Sequence, residues 1–290
     1  MSSGTSVPSP GCALTRGRLA GVISDDAGRP PLDAARLAAA DPDLLPGLHV
    51  EVLDAAPSTN ALVAERAHEG AAEGLVLVAE HQTAGRGRLD RTWETPPRSA
   101  LTFSVLLRPT APTHSWPWLP LLTGYAVAKA LRAAGAEAEV KWPNDVLLGQ
   151  RKVSGILLER VETASGPAAV VGIGINVGMT ADELPVPEAV SLAVAGVEVD
   201  RTDLLVDVLA SLWEAYTTWQ EGGDLAGMRL AESYAAACAT LGSEVRVDLP
   251  SGEVLTGTAT GIDPSGRLLV AHDGGRTAVS AGDVVHVRPV

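Results

Sequence analysis

Four strand-like stretches follow one another between Glu137 and Asn176: Glu137–Trp142, Val146–Leu148, Val153–Arg160 and Ala168–Asn176. Only turns separate them, which leaves no space for the helical crossovers of a doubly wound parallel sheet. Leu48–Asp54, Gly74–Glu80 and Leu101–Leu107 also read as strands. Ser58–Ala67, Ser115–Ala134, Thr202–Gln220 and Leu225–Leu241 carry helical periodicity, with Ser58 as an N-cap and Gly70 and Gly135 as stops. This order predicts an α+β fold, a mainly antiparallel or mixed sheet with helices packed on it.

The texture changes near Leu241. Glu244–Leu249, Glu253–Ile262, Gly266–Val270, Thr277–Val279 and Val284–Val287 are short strands joined by Pro-Ser-Gly, Asp-Pro-Ser-Gly and Asp-Gly-Gly turns. Five strands in so short a stretch predict a small SH3-like β-barrel over residues 242–290. Residues 1–45 are Ser-, Gly- and Pro-rich at the start, with one short helix expected over Pro31–Ala40 and a break at Asp41–Pro46. They are expected to form a mostly flexible extension, too sparsely patterned for a winged helix-turn-helix. Residues 46–241 form the larger domain.

Of the 290 residues, 46% are hydrophobic and 20% charged, enough for a sizeable core. The longest apolar runs, Gly74–Ala79 and Ala168–Ile175, fall far short of the ~18 residues of a membrane span. The N-terminus lacks the charged and apolar regions of a signal peptide. The two cysteines, Cys12 and Cys238, make neither a disulfide framework nor a C-x-x-C metal pair. A cytoplasmic protein with no membrane partner is expected. The net charge of −13 argues against a nucleic-acid partner, since phosphate neutralisation needs a basic face.

Against that acidic background, Gly85-Arg86-Gly87-Arg88-Leu89-Asp90-Arg91-Thr92-Trp93 sets three arginines beside two glycines. Glycine lets backbone N–H groups approach a ligand, and guanidinium groups pair with phosphate or carboxylate. The expected ligand is a compact anion; a solvated charged loop is the alternative. Lys141-Trp142-Pro143-Asn144-Asp145 forms a turn before a hairpin at Gly149-Gln150, which places Lys152 and Gly155 on one strand. Lys152 is a mobile point charge suited to an oxygen anion, or an ordinary surface lysine. Gly172-Ile173-Gly174-Ile175-Asn176 leaves one strand face bare, for a ligand or for tight packing. Neither a P-loop nor a G-x-S-x-G elbow nor H-E-x-x-H occurs, and the six histidines are scattered. Any phosphate must therefore be held by the arginine loop and Lys152.

Taken in order, Ser58-Thr59-Asn60, Gln82 to Arg88, Trp93, Lys141 to Asp145, Arg151-Lys152 with Gly155-Ile156-Leu157, and Gly172 to Asn176 resemble the biotin–protein ligases. The resemblance covers about residues 50 to 290 and extends to the C-terminal barrel. It is to the monofunctional type without an N-terminal DNA-binding domain. The pattern departs at Leu89-Asp90, where the family commonly has an Arg-Gly or similar pair.

The resemblance implies a class II synthetase-like catalytic domain that makes biotinyl-5'-AMP from biotin and ATP. It then passes biotin to a lysine of a biotin carboxyl carrier domain. Lys152 and Arg88 are the implied catalytic residues. Ser58, Thr59, Asn60, Gln82, Arg86, Gly87, Arg88, Lys152, Gly155 and Gly172 are the implied biotin-binding residues, with Gly155 and Gly172 leaving room for the bicyclic ring. Ser58 is equally a plain N-cap. Arg88, Arg91, Trp93, Asn144, Lys152 and Asn176 are implied for ATP, Trp93 by stacking on adenine. Mg²⁺ is the implied metal, with Asp145 as its candidate ligand. Trp142 walls the pocket or belongs to the core. A homodimer is left open. A lipoate–protein ligase is the nearest alternative, sharing fold and adenylate chemistry; a biotin-responsive repressor and a non-catalytic binding module are more distant ones. The His81–Ser99 loop is expected to be mobile when empty and ordered by biotin.

Overall fold

The computed structural model describes Met1 and residues 28–40, 45–89, 91–221, 223–249, 252–280 and 283–286, and only the backbone of 223–227 and 283–286. Expectations on Cys12, Asp90, residues 2–27 and residues 41–44 lie outside the described residues. The chain runs α1 (Ala34–Ala38), β1 (His49–Leu53), α2 (Thr59–His68), β2 (Leu75–Ala79), β3 (Ala100–Leu107), α3 (Trp118–Ala133) and β4 (Ala138–Lys141). It continues with β5 (Asp145–Leu148), β6 (Arg151–Thr163), β7 (Gly166–Asn176), α4 (Arg201–Glu221) and α5 (Gly223–Ala236). Five short strands follow: β8 (Glu244–Asp248), β9 (Val254–Ile262), β10 (Leu268–His272), β11 (Gly275–Val279) and β12 (Asp283–His286).

The first seven strands form one sheet in the order β1-β2-β3-β7-β6-β5-β4. Only β1 and β2, which α2 connects, pair parallel; the turn-linked strands pair antiparallel. The sheet is therefore mixed, as the spacing requires. Strand alternation divides it into two faces. Val76 and Val78, Leu101 and Phe103, Val105 and Leu107, and Val171, Ile173 and Ile175 join α3 and α4 in the main core. Leu75, Leu77, Leu106, Val161, Ala168 and Val170 join Val63 and Ala67 of α2 in a smaller one. Burying a side chain such as Phe103 contributes about 1.5–3 kcal/mol. Beyond the first turn of α2 the second face carries Thr102, Ser104, Gly172 and Gly174 instead of large apolar groups, and a pocket opens there.

The last helix stops at Ala236 rather than running to Leu241. Val140 N–H donates to Ala237 O (2.9 Å) and Ala239 N–H to Val140 O (2.9 Å), so the chain leaves the helix to satisfy the open edge of β4. The five C-terminal strands form their own sheet in the order β11-β10-β9-β8-β12, matching the SH3-like reading. Its Asp263–Gly266 turn meets the larger domain at two indoles. Trp118 Nε1 donates to Pro264 O (2.8 Å) and Trp142 Nε1 to Gly266 O (3.0 Å). Trp142, 2% exposed, is thus a core residue at this seam.

The short helix expected over Pro31–Ala40 is present as α1, and residues 28–40 pack on the larger domain. Leu32 and Leu37 are buried in the main core. Arg201 Nη1 pairs with Glu80 Oε2 at 2.7 Å in a buried ion pair. Its guanidinium has donors to spare, and its Nη2 donates to Pro30 O (2.7 Å), while Leu32 N–H donates to Glu80 Oε1 (2.5 Å). A buried pair must have its remaining donors and acceptors satisfied, and this segment supplies the partners. Among the described residues, no helix is long and apolar enough to cross a membrane.

Candidate active site

Lysine comes to the second face through a break in strand alternation. Val146 pairs with Ser154, but the next residue, Leu147, pairs with Lys152, so Val153 is an extra residue in β6. Such a bulge shifts the phase of the strand. Without it Lys152 would share the side of Ile156, in the main core; with it Lys152 stands beside Gly155. Its Nζ lies 2.6 Å from Asp145 Oδ1 and 5.8 Å from the centroid of the Trp93 ring. A Cβ on Gly155 would sit 2.9 Å from Lys152 Nζ and 3.3 Å from Trp93 Cζ3. Gly155 thus makes the lysine's path to Asp145 possible.

The arginine loop is a tight hairpin: Trp93 N–H donates to Gly85 O (2.9 Å) and Gly87 N–H to Arg91 O (2.6 Å). Leu89 at its tip has φ 53°, a left-handed conformation that glycine favours. The hairpin lies across β6 and β7. Arg88 Nη1 donates to Asn144 Oδ1 (2.7 Å), and Asn144 Nδ2 donates to Ile156 O (2.9 Å). Arg86 Nη2 donates to Glu159 Oε2 (3.0 Å). The indole of Trp93 covers Gly174, where an added Cβ would come within 2.4 Å of Cε2. Its Nε1–H is buried and finds no acceptor among the described residues.

Under the hairpin, the first turn of α2 and β3 build a polar cluster. Ser58 caps the helix and lines the pocket, so its two readings hold together. Gln82 Oε1 accepts from Thr59 N (2.8 Å) and Thr59 Oγ1 (3.1 Å). Asn60 Nδ2 donates to Glu159 Oε2 (2.7 Å). Ser104 Oγ lies 2.7 Å from Thr59 Oγ1 and 2.6 Å from Asn60 Oδ1.

Two pockets meet at this hairpin. The inner one holds Ser58, Thr59, Asn60, Gln82, Arg86, Gly155 and Gly172. The outer one, of about 780 Å³, holds Arg91, Asp145 and Asn176, with Pro185, Val186, Glu188 and Ala189 as its far wall. Gly87, Arg88, Trp93, Asn144 and Lys152 line both. The residues implied for biotin, ATP and metal all border these two adjoining pockets, whereas Trp142 borders neither. One expectation is corrected. Gly172 is not vacant space for a ring, because a Cβ there would meet Asn60 Oδ1 at 2.2 Å. The bare glycine face is occupied by Asn60 at Gly172 and by Trp93 at Gly174, and Trp93 also lines the outer pocket.

The family profile described as "Biotin/lipoate A/B protein ligase family" matches residues 52–176, and "Biotin protein ligase C terminal domain" matches 240–287. A biotin--[acetyl-CoA-carboxylase] ligase of Mycobacterium tuberculosis is 40% identical over 90% of this chain and 97% of its own length. The chain belongs to the biotin protein ligase family. The bifunctional ligase/repressor BirA of Bacillus spizizenii is 34% identical, with 82% of this chain and 74% of that protein aligned. The biotin protein ligase of Aquifex aeolicus, solved in complex with biotin and ATP, superposes with a TM-score of 0.71 at 29% identity, covering 83% of this chain and 99% of that one.

Two polar residues of this ligase-family site escaped the sequence reading. Ser104 lies in an apolar strand, and its only signal was a hydroxyl in phase with Thr102 opposite Gly172. Glu159 follows Gly155-Ile156-Leu157-Leu158 on the same strand face and receives both Arg86 and Asn60.

Proposed function

We propose that this chain is a biotin–protein ligase that forms biotinyl-5'-AMP and transfers the biotinyl group to a lysine of a carrier domain of biotin-dependent carboxylases. The observation that carries the reading is the placement of Lys152 and Arg88. Both border the small polar pocket and the larger one, where a carboxylate from one side meets a phosphate from the other.

In the first step a biotin carboxylate oxygen bonds to the α-phosphorus of ATP, and pyrophosphate leaves. Two anions must approach, so charge neutralisation and positioning carry the catalysis. Lys152 and Arg88 supply the positive charge at the reacting atoms. Asp145 holds Lys152 Nζ in place until the carboxylate and phosphate oxygens arrive. In the second step a neutral carrier amine attacks the acyl carbon, AMP departs with the bonding pair of the C–O bond, and the nitrogen gives up its extra proton to solvent.

Ser58, Thr59, Asn60 and Gln82 offer hydroxyl and amide groups to the ureido ring. Arg86 and the Gly87 backbone close the hairpin over it. Trp93 borders the outer pocket, where its indole can stack on adenine. Arg91 and Asn176 serve the nucleotide in the outer pocket. Among the described residues no three metal-type side chains form a group. This fits Mg²⁺ that enters on the triphosphate and takes one or two carboxylates at most. Asp145, Glu94 and Glu188 border the same pocket.

The test is to incubate the purified protein with Mg–ATP, biotin and a biotin carrier domain, then weigh the carrier. A gain of one biotinyl group, dependent on ATP and lost in Lys152→Ala, is the expected result. A gain only with lipoate and a lipoyl domain replaces the reading with the lipoate alternative. No gain with either acid overturns catalysis.

A further inference from the structure

The far wall of the outer pocket is one segment, running from Val177 to Val190, and it is anchored at both ends. At its C-terminal end it pairs with the catalytic strand: Lys152 N–H donates to Glu188 O (2.7 Å) and Val190 N–H to Lys152 O (2.9 Å). At its N-terminal end it is held by a residue about 150 positions earlier in the chain. Arg29 Nη2 donates to Gly178 O (3.0 Å) and forms an ion pair with Glu183. Gly178 is two residues from Asn176, and Glu183 is two residues before Pro185; both Asn176 and Pro185 line the pocket. Arg29 lines neither pocket.

Arg29 is itself held from behind. Its neighbour Pro30 accepts from Arg201, Leu32 N–H reaches Glu80, and Asp33 N–H donates to Thr202 Oγ1 (3.1 Å). The Arg201–Glu80 pair is buried, with side chains 9% and 4% exposed. Glu80 in turn accepts Arg98 N–H at its backbone oxygen (2.8 Å), at the far end of the hairpin loop. Residues 28–33 thus strap the wall of the outer pocket to the rigid end of the sheet.

We infer that Arg29 is a positioning residue for the nucleotide half of the site, acting through Gly178 and Glu183 on the wall that faces ATP. The inference rests on the ligase reading for the identity of the nucleotide. Its hydrogen bond from Arg29 holds the Glu183 carboxyl below its ordinary range, so the pair stays charged at neutral pH. The inner pocket is lined by no residue of this wall, and the Lys152 backbone that the wall pairs with lies at the end away from Arg29.

The experiment compares full-length wild type, Arg29→Ala, Arg29→Lys and the exchanged pair Arg29→Glu with Glu183→Arg in biotin-dependent ATP–pyrophosphate exchange. Loss of one charged hydrogen bond predicts a rise of about five- to tenfold in KM for ATP in Arg29→Ala. KM for biotin and kcat stay within about twofold, the pattern of lost uniform binding. Arg29→Lys and the exchanged pair recover part of the loss. A folded Arg29→Ala protein with unchanged KM for ATP overturns the inference, as does an equal rise in both KM values. If wild type exchanges no pyrophosphate with biotin, the ligase reading falls. Calorimetry with Mg–ATP then still reads Arg29: weaker binding in Arg29→Ala supports the strap, and equal or absent binding in both proteins overturns it.

Discussion

The two faces of the seven-stranded sheet are made by the same strands and do opposite work. On β7, Val171, Ile173 and Ile175 enter the main core beneath α3 and α4. Alternating with them, Gly172, Gly174 and Asn176 face the pockets. On β3, Phe103 and Val105 serve the core, and Thr102 and Ser104 serve the site. A period of two therefore lets one strand carry stability mainly on one side and chemistry mainly on the other, with Phe103 and Ile173 of the core also bordering the inner pocket. The smaller apolar cluster under α2 marks where the second face changes from packing to binding.

Exchanging one residue on each face tests that division. Leu101 has no exposed surface and borders neither pocket, and Leu101→Ala is expected to cost about 2–5 kcal/mol of stability through the cavity it leaves. Urea unfolding reads the loss, while turnover per folded molecule stays near wild type. Lys152 gives the reverse. Its side chain is 34% exposed, and its loss leaves the buried Asp145 Oδ1 unpaired, so Lys152→Ala shifts stability by about 1–2 kcal/mol. Adenylate formation falls by about 10²–10³-fold, the size seen when one electrostatic contact to a developing charge is removed. A Lys152→Ala protein that unfolds, or a Leu101→Ala protein that folds normally but cannot turn over, would break the comparison.

The division also shows what sequence can reveal. The strands of both sheets were legible because alternation and turn residues are local signals. The site's glycines, arginines and Lys152 were legible as motifs. The face on which Lys152 stands was not, because the bulge at Val153 depends on pairing with β5. The occupants of the glycine face were hidden for the same reason: Asn60 comes from a helix and Trp93 from a loop, each far along the chain from Gly172 and Gly174. Ser104 and Glu159 are single polar residues in ordinary strands, and their meaning lies in partners that only the fold supplies. Arg29 sits 154 residues from Glu183, in a stretch whose Ser, Gly and Pro content reads as loose.

A smaller effect sharpens the contrast within the site face. A Cβ on Gly174 would come within 2.4 Å of Trp93 Cε2, and a ring cannot yield as a flexible chain end does. The indole must lift, taking the hairpin with it. Gly174→Ala is expected to lower stability by about 1–3 kcal/mol, as overpacking does. It should lower kcat/KM for both substrates by about ten- to a hundredfold, since Arg88 shares the displaced hairpin. Steady-state kinetics and tryptophan emission, followed together, check this. A loss confined to stability would show that the Trp93 seat is only packing.

The smallest effect is at the tip of that hairpin. Leu89 is 66% exposed and holds φ 53°, so it contributes no buried contact while its Cβ opposes the left-handed backbone. Relieving that strain is worth about 1–2 kcal/mol, less the extra entropy glycine gives the open loop. Leu89→Gly therefore favours the closed hairpin by about 0.5–1 kcal/mol, or roughly two- to fivefold. Trypsin cutting at Arg86, Arg88 and Arg91 should slow by that factor without biotin. The gap between biotin-free and biotin-bound cleavage should narrow equally, because part of the ordering is already in place. Faster cutting of Leu89→Gly would mean that the leucine holds the tip closed, and that the hairpin, unlike the sheet beneath it, draws its order from an apolar side chain.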